Sequence, residues 1–117
     1  MAAPNIVNVT TIIGKTAVQA IGITATAIVT NSAASGKVIK INALYVSNVD
    51  GVNNADITVD VFRSSTAYRI ANTVVVPADA SLDVLSKSIY LEEGDSLRLT
   101  ASAATKLEAV CSYEEIN

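Results

Sequence analysis

The chain has 117 residues, half of them hydrophobic and 16% charged, with a net charge of −3. That length suits one domain over residues 1–117, and low charge with high apolar content excludes a disordered chain. The eight Lys and Arg residues form no cluster, aromatics make up 4%, and no apolar run approaches the ~18 residues of a membrane span, so neither nucleic acid nor membrane is expected as a partner.

The first 36 residues carry one charge, Lys15, and the other eighteen follow from Lys37 onward. Two apolar, Thr-rich segments, Asn5–Ile13 and Thr16–Thr30, read as strands. In the second, Thr24 and Thr26 alternate with Ile23, Ala25 and Ala27 and should share one outward face. Lys37–Asn48 is a long strand, with apolar residues on both faces near Ala43–Val46, as for a strand covered twice. Asp50–Asn54 is a loop of turn-forming residues. Asp56–Arg63 alternates, with Ile57, Val59 and Val61 inward and Thr58 and Asp60 outward. Tyr68–Val76 ends at Pro77, which cannot donate to a ladder. Ser81–Leu85 is short. Ser88–Leu91 and Ser96–Thr100 read as a hairpin through Glu92-Glu93-Gly94-Asp95, with Leu97 and Leu99 inward and Arg98 outward. Leu107–Tyr113 closes the chain. Eight or nine short strands at this spacing predict an all-β chain, a single jelly-roll-like β-sandwich.

The sequence offers little chemistry. It contains no His, which removes the commonest general base and metal ligand, so no enzyme is expected. No catalytic, cofactor-binding or metal site is assigned. Glu92/Glu93 and Glu114/Glu115 are adjacent pairs, and neighbours on a strand point to opposite faces. Asp50, Asn53, Asn54 and Asp56 supply oxygens within seven residues, yet lack the spacing of a calcium loop. Four tyrosines, Tyr45, Tyr68, Tyr90 and Tyr113, could form a sugar platform, although core or interface packing is the simpler use. Cys111 is alone and alternates with Ala109 and Tyr113, as a small core residue would; an internal disulfide is excluded. Asn8-Val9-Thr10 matches a glycosylation sequon, but the opening residues lack the basic and apolar regions of a signal peptide.

Low charge also implies a neutral surface, which a soluble monomer normally avoids. Part of the molecule is therefore expected to be covered by copies of itself or by a partner, with residues 1–36 contributing to that interface.

From Lys37 onward the chain resembles the small β-sandwich structural proteins of tailed-bacteriophage virions. The resemblance lies in Ala55–Val59, in Val76–Leu82, in Ile89-Tyr90-Leu91-Glu92-Glu93-Gly94-Asp95-Ser96-Leu97-Arg98-Leu99 and in the closing Leu107–Glu115. The opening Met1–Val7 is similar to virion proteins of phages that infect marine cyanobacteria. The resemblance implies no catalysis. It implies a virion protein that self-associates and attaches to a capsid or tail lattice. The opening residues fit synthesis in the host bacterial cytoplasm, and the nearly uncharged N-terminal segment makes a homo-oligomer, a trimer, the expected state. A capsid decoration or cement protein bound to the major capsid protein is the first reading. A tail, baseplate or fibre-attachment component bound to tail proteins is the second, and a carbohydrate- or receptor-binding module the third.

Overall fold

Alternating β-branched residues generate nine strands and no helix among the residues that the structure, a computed structural model, describes, 4–117. Met1, Ala2 and Ala3 of the opening segment lie outside the described residues. The strands are β1 (Ile12–Ile21), β2 (Thr26–Thr30), β3 (Val38–Asn48), β4 (Ala55–Arg63), β5 (Thr66–Val76), β6 (Ser81–Asp83), β7 (Ile89–Leu91), β8 (Ser96–Ala101) and β9 (Leu107–Ile116).

All pairing is antiparallel and nested: β1 with β9, β2 with β8, β3 with β6 and β7, β4 with β5. A ribbon whose first half runs back along its second half has this pattern. Two further pairings, β3 with β9 and β4 with β8, gather the pairs into two sheets. The first sheet runs β1-β9-β3-β6, with β7 also on β3, and the second runs β2-β8-β4-β5. The sheets face each other as a sandwich. Ile39, Ile41, Leu44, Val46, Leu107 and Cys111 from the first meet Ile57, Val59, Leu97 and Leu99 from the second. Each fully buried Val, Leu or Ile contributes about 1.5–3 kcal/mol.

Local devices set the faces. In β3 the register slips between Ile41 and Ala43, so the inward positions change from 39 and 41 to 44 and 46. Ser64 and Ser65 both have positive φ and close the β4–β5 hairpin in two residues, where the mirror-image turn matches strand twist.

Several expectations are corrected. Asn5–Ile13 is not one strand; β1 begins only at Ile12 and runs to Ile21 across Gly14 and Lys15. Thr16–Thr30 is broken at Gly22–Ala25, so its halves lie in different sheets, with Thr24 in the turn and Thr26 heading β2. The two threonines are exposed but do not share a strand face. The region Ala43–Val46 is covered once only, because Tyr45 is exposed opposite the core. Ser88–Leu91 and Ser96–Thr100 form no hairpin. The Glu92–Asp95 turn instead carries the chain from β7 in one sheet to β8 in the other. Asp60 does point away from the core, yet it is buried, because Arg98 on the neighbouring strand folds over it at 2.9 Å while stacking on Phe62. Ile57, Val59, Leu97 and Leu99 are fully buried as expected, and Val61 packs half-buried against them.

Candidate interaction surface

Exposed apolar residues occur along the whole chain, the neutral N-terminal third included. Among the described residues, six of the fifteen exposed large hydrophobic residues are Ile6, Val7, Ile12, Ile13, Val18 and Ile23. On the outer face of the first sheet, register places Val18 beside Val110 and Val110 beside Tyr45. Their exposures are 75%, 43% and 47%, so a row of apolar side chains crosses three strands in the open. The rows on either side are Thr16, Ser112 and Ala43, then Ala20, Glu108 and Ser47. The centre of this face is small, hydroxylated and aliphatic, and charge borders it: Asp83 beside Tyr45, Glu108 in the flanking row, and Glu114 beside Lys40 in the row beyond Ser112.

A cleft of about 430 Å³ opens where β4 and β5 diverge from β7. Val61, Arg63, Tyr68, Ile70, Ile89 and Tyr90 line it. Tyr68 lies opposite the inward Val61 on the edge strand β5, but it remains exposed. The structure thus brings together Tyr68 and Tyr90 only. Tyr45 lies on the outer face of the first sheet, and Tyr113 packs half-buried against the core.

The polar residues near the cleft are occupied. Arg63 spans from its Nε to Asp95 Oδ1 at 2.7 Å, and its Nη2 donates to Asp95 and to Glu92. Hydrogen bonding to Arg63 holds the buried Asp95 carboxyl below the usual range, and Asp95 raises Arg63 in return. Asp95 also accepts the Glu92 backbone N–H at 2.9 Å. Gly94 takes the positive φ that this turn requires, and its N–H donates to the carbonyl of Asn31. Buried Asn31 donates to the carbonyls of Lys37 and Leu91. This Asn31–Arg63–Asp95 cluster fixes the passage between the sheets. Sequence reading missed it, because its members are far apart in the chain.

The paired carboxylates do not act together. Glu92 meets Arg63, while Glu93 accepts the Gly36 N–H at 2.8 Å. Burial pushes the Glu115 carboxyl up, but Lys15 at 3.1 Å and Lys37 at 3.3 Å outweigh it and hold the group low. Nor do the loop oxygens converge on an ion site. Asp50 accepts from Lys106 and from the N–H groups of Val52 and Asn53, which hold its carboxyl well below the ordinary range. Asn54 accepts the Ala78 N–H at 3.2 Å, and the Asp56 N–H donates to Ser102. Among the described residues no cluster of three His, Cys, Asp or Glu side chains is placed to bind a metal. Cys111 is fully buried, and burial pushes its thiol up to about 11.

No family model matches this chain, and no curated protein is significantly similar to it. Solved structures do resemble it. A chain of the Bacillus endospore appendages, which form a novel family of disulfide-linked pili, is 17% identical, with 92% of this chain and 88% of that one covered and a TM-score of 0.52. The nucleoplasmin-like N-terminal domain of Drosophila FKBP39 superposes with a TM-score of 0.44 at 12% identity, covering 87% and 85% of the two chains. A pentameric capsid protein from metagenomic phage sequences gives a TM-score of 0.43 at 18% identity, covering 98% of this chain and 64% of that one. At 17% identity the likeness to the appendage chain is one of fold alone.

Proposed function

We propose that the chain is a non-enzymatic virion structural protein of a tailed phage, a capsid decoration or cement protein that associates with itself and with the major capsid protein. The observation that carries this reading is the exposed row Val18–Val110–Tyr45, which begins in the nearly uncharged first 36 residues. Such a surface suits permanent burial, since obligate interfaces are larger and more apolar than transient ones. The sequence resemblance from Lys37 onward supports the same class. The strand order supports it as well: nested pairing across two sheets is the order of a jelly roll, which recurs in viral capsid proteins. Tail or baseplate placement draws on the same surface.

Immunogold labelling or cryo-EM of purified particles tests the proposal. Regular density for this chain on the head lattice is the expected result. Density confined to the tail replaces decoration by the tail reading, and absence from the particle overturns both. The cleft supports a second reading, a carbohydrate-binding module, because Tyr68 and Tyr90 bring two aromatic rings to one concavity. Glycan-array binding that Tyr68→Ala abolishes would establish it.

A further inference from the structure

A sandwich with two open sheets has four edges, and three of these are blunted. On the second sheet, β2 has five residues and a break in register between Ala27 and Val29. Its opposite edge, β5, is irregular twice against β4 and has a positive φ at Thr73. On the first sheet, β6 and β7 have three residues each. Shortness and bulges are the usual defences against edge-to-edge association. The fourth edge, β1, has none of them. It keeps unbroken register with β9 over ten residues, and its only charge, Lys15, is paired with Glu115.

The ladder shows what this edge offers. Thr11 and Asn117 exchange both backbone hydrogen bonds, at 2.8 and 3.0 Å. In the same register the odd residues of β1 bond to β9. Ile12, Gly14, Thr16, Val18 and Ala20 therefore turn their N–H and C=O groups to the open side. We infer that this edge pairs with β1 of a second copy, antiparallel about a two-fold axis, joining two first sheets into one. The pairing rests on the self-association in the reading above.

Charge and one orphaned atom select the register. Even residues must lie opposite even residues. With the axis at Ala17, Thr16 faces Val18 of the second copy and Gly14 faces Ala20, which gives eight hydrogen bonds by the antiparallel pattern. Lys15 then lies opposite Gln19 of the other copy. The two lysines are four residues apart along the strands, about 13 Å and beyond the ~8 Å screening length. Centring on Thr16 would halve that separation. Gln19 supplies a second, independent observation. Its Nε2 donates to the Ala27 carbonyl at 3.0 Å, but its buried Oε1 has no partner among the described residues. In the Ala17-centred register a lysine donor from the second copy lies directly across from it. Because an antiparallel pair of identical edges is two-fold, the building unit is a dimer, not the trimer expected from the sequence.

Sedimentation of the full chain tests the pairing, and particle attachment is scored separately, so that loss of one does not imply loss of the other. Wild type should sediment as a dimer. Thr16→Pro removes an N–H that faces the open edge and leaves the β9 ladder whole. It should keep the circular dichroism of the wild type and dimerise at least about a hundredfold more weakly. Ala17→Cys should form an intermolecular disulfide on mild oxidation, since opposed residues in a non-hydrogen-bonded pair lie ~4.5 Å apart, within disulfide reach. A wild type monomeric at about 1 mM overturns the pairing, and so does an undiminished dimer of folded Thr16→Pro. If that variant does not fold, hydrogen exchange of the wild type decides. Amides of Gly14, Thr16, Val18 and Ala20 that gain protection with concentration support the pairing, and amides indifferent to concentration overturn it.

Discussion

Replacing Asp95 with Ala tests whether the passage between the sheets is held by charge. The side chain of Asp95 is 2% exposed and that of Arg63 is 46% exposed. The substitution removes two charge-assisted bonds from Arg63 and leaves the Glu92 N–H without its acceptor. Charged hydrogen bonds contribute about 1.5–3 kcal/mol each, but half-exposed Arg63 can recover much of its hydration. The backbone N–H, which is less able to reach water, adds about 1 kcal/mol. The sum is a loss of roughly 3 kcal/mol, or about 10–15 °C in melting temperature for a domain of this size. Glu92→Ala is the control, because Glu92 is 68% exposed and its pair with Arg63 contributes at most about 1 kcal/mol. Thermal unfolding by circular dichroism measures both variants. The pH dependence adds a sign. Arg63 depresses the folded pKa of Asp95, so the contribution is present above the unfolded value of about 3.9 and is lost as pH falls through the folded value. Asp95→Ala should therefore lose less stability than wild type on acidification below about pH 4. If it melts with Glu92→Ala and keeps the acid sensitivity of wild type, the clamp is refuted.

Val59→Asp and Leu97→Asp each place an unpaired carboxylate at a fully buried position, and both should abolish the cooperative melt; a cooperative transition in either would show that the face assignment is wrong. Cys111 should resist thiol reagents at neutral pH in the native state and react fully in denaturant, since it is buried with its pKa pushed up to about 11. Native labelling as fast as that of a free thiol would contradict this. A chelator should leave the melting temperature unchanged, because Lys106 and backbone N–H groups occupy the oxygens of Asp50. A fall of more than about 5 °C would return the loop to consideration as a metal site.

Much of the fold was legible because alternation is a local signal. Ile57/Val59 and Leu97/Leu99 betray their inward faces within a few residues, and the span predicted for β3 differs from the observed one by a single residue. What local pattern does not carry is the choice of sheet. Ser88–Leu91 and Ser96–Thr100 flank a turn that looks like a hairpin, but their partners are β3 in one sheet and β2 and β4 in the other. The decision rests on Asn31, Arg63 and Asp95, which lie tens of residues apart. Burial of Asp60 was hidden for a similar reason, since only its neighbour across the ladder, Arg98, reveals that a carboxylate can be covered there. The tyrosines were visible as residues but not as a group. Bringing Tyr68 and Tyr90 together requires the edges of opposite sheets to meet.

The nested topology converts a one-dimensional asymmetry into a spatial one. In this ribbon the first strand pairs only with the last, so β1 ends one sheet, and the second pairs only with β8, so β2 ends the other. The two edges lie against each other on one flank. An uncharged segment of 36 residues placed elsewhere in the chain would have been divided among central strands, where lack of charge is ordinary. Placed first, it leaves an entire flank with Lys15 as its one charge, and Glu115 engages that lysine. Charge on an edge is the defence most easily acquired by substitution, and the break in register on β2 shows that this fold can distort an edge strand. That β1 has no bulge and carries only a lysine already engaged by Glu115, while β2, β5, β6 and β7 are short or irregular, makes it the least defended of the four edges.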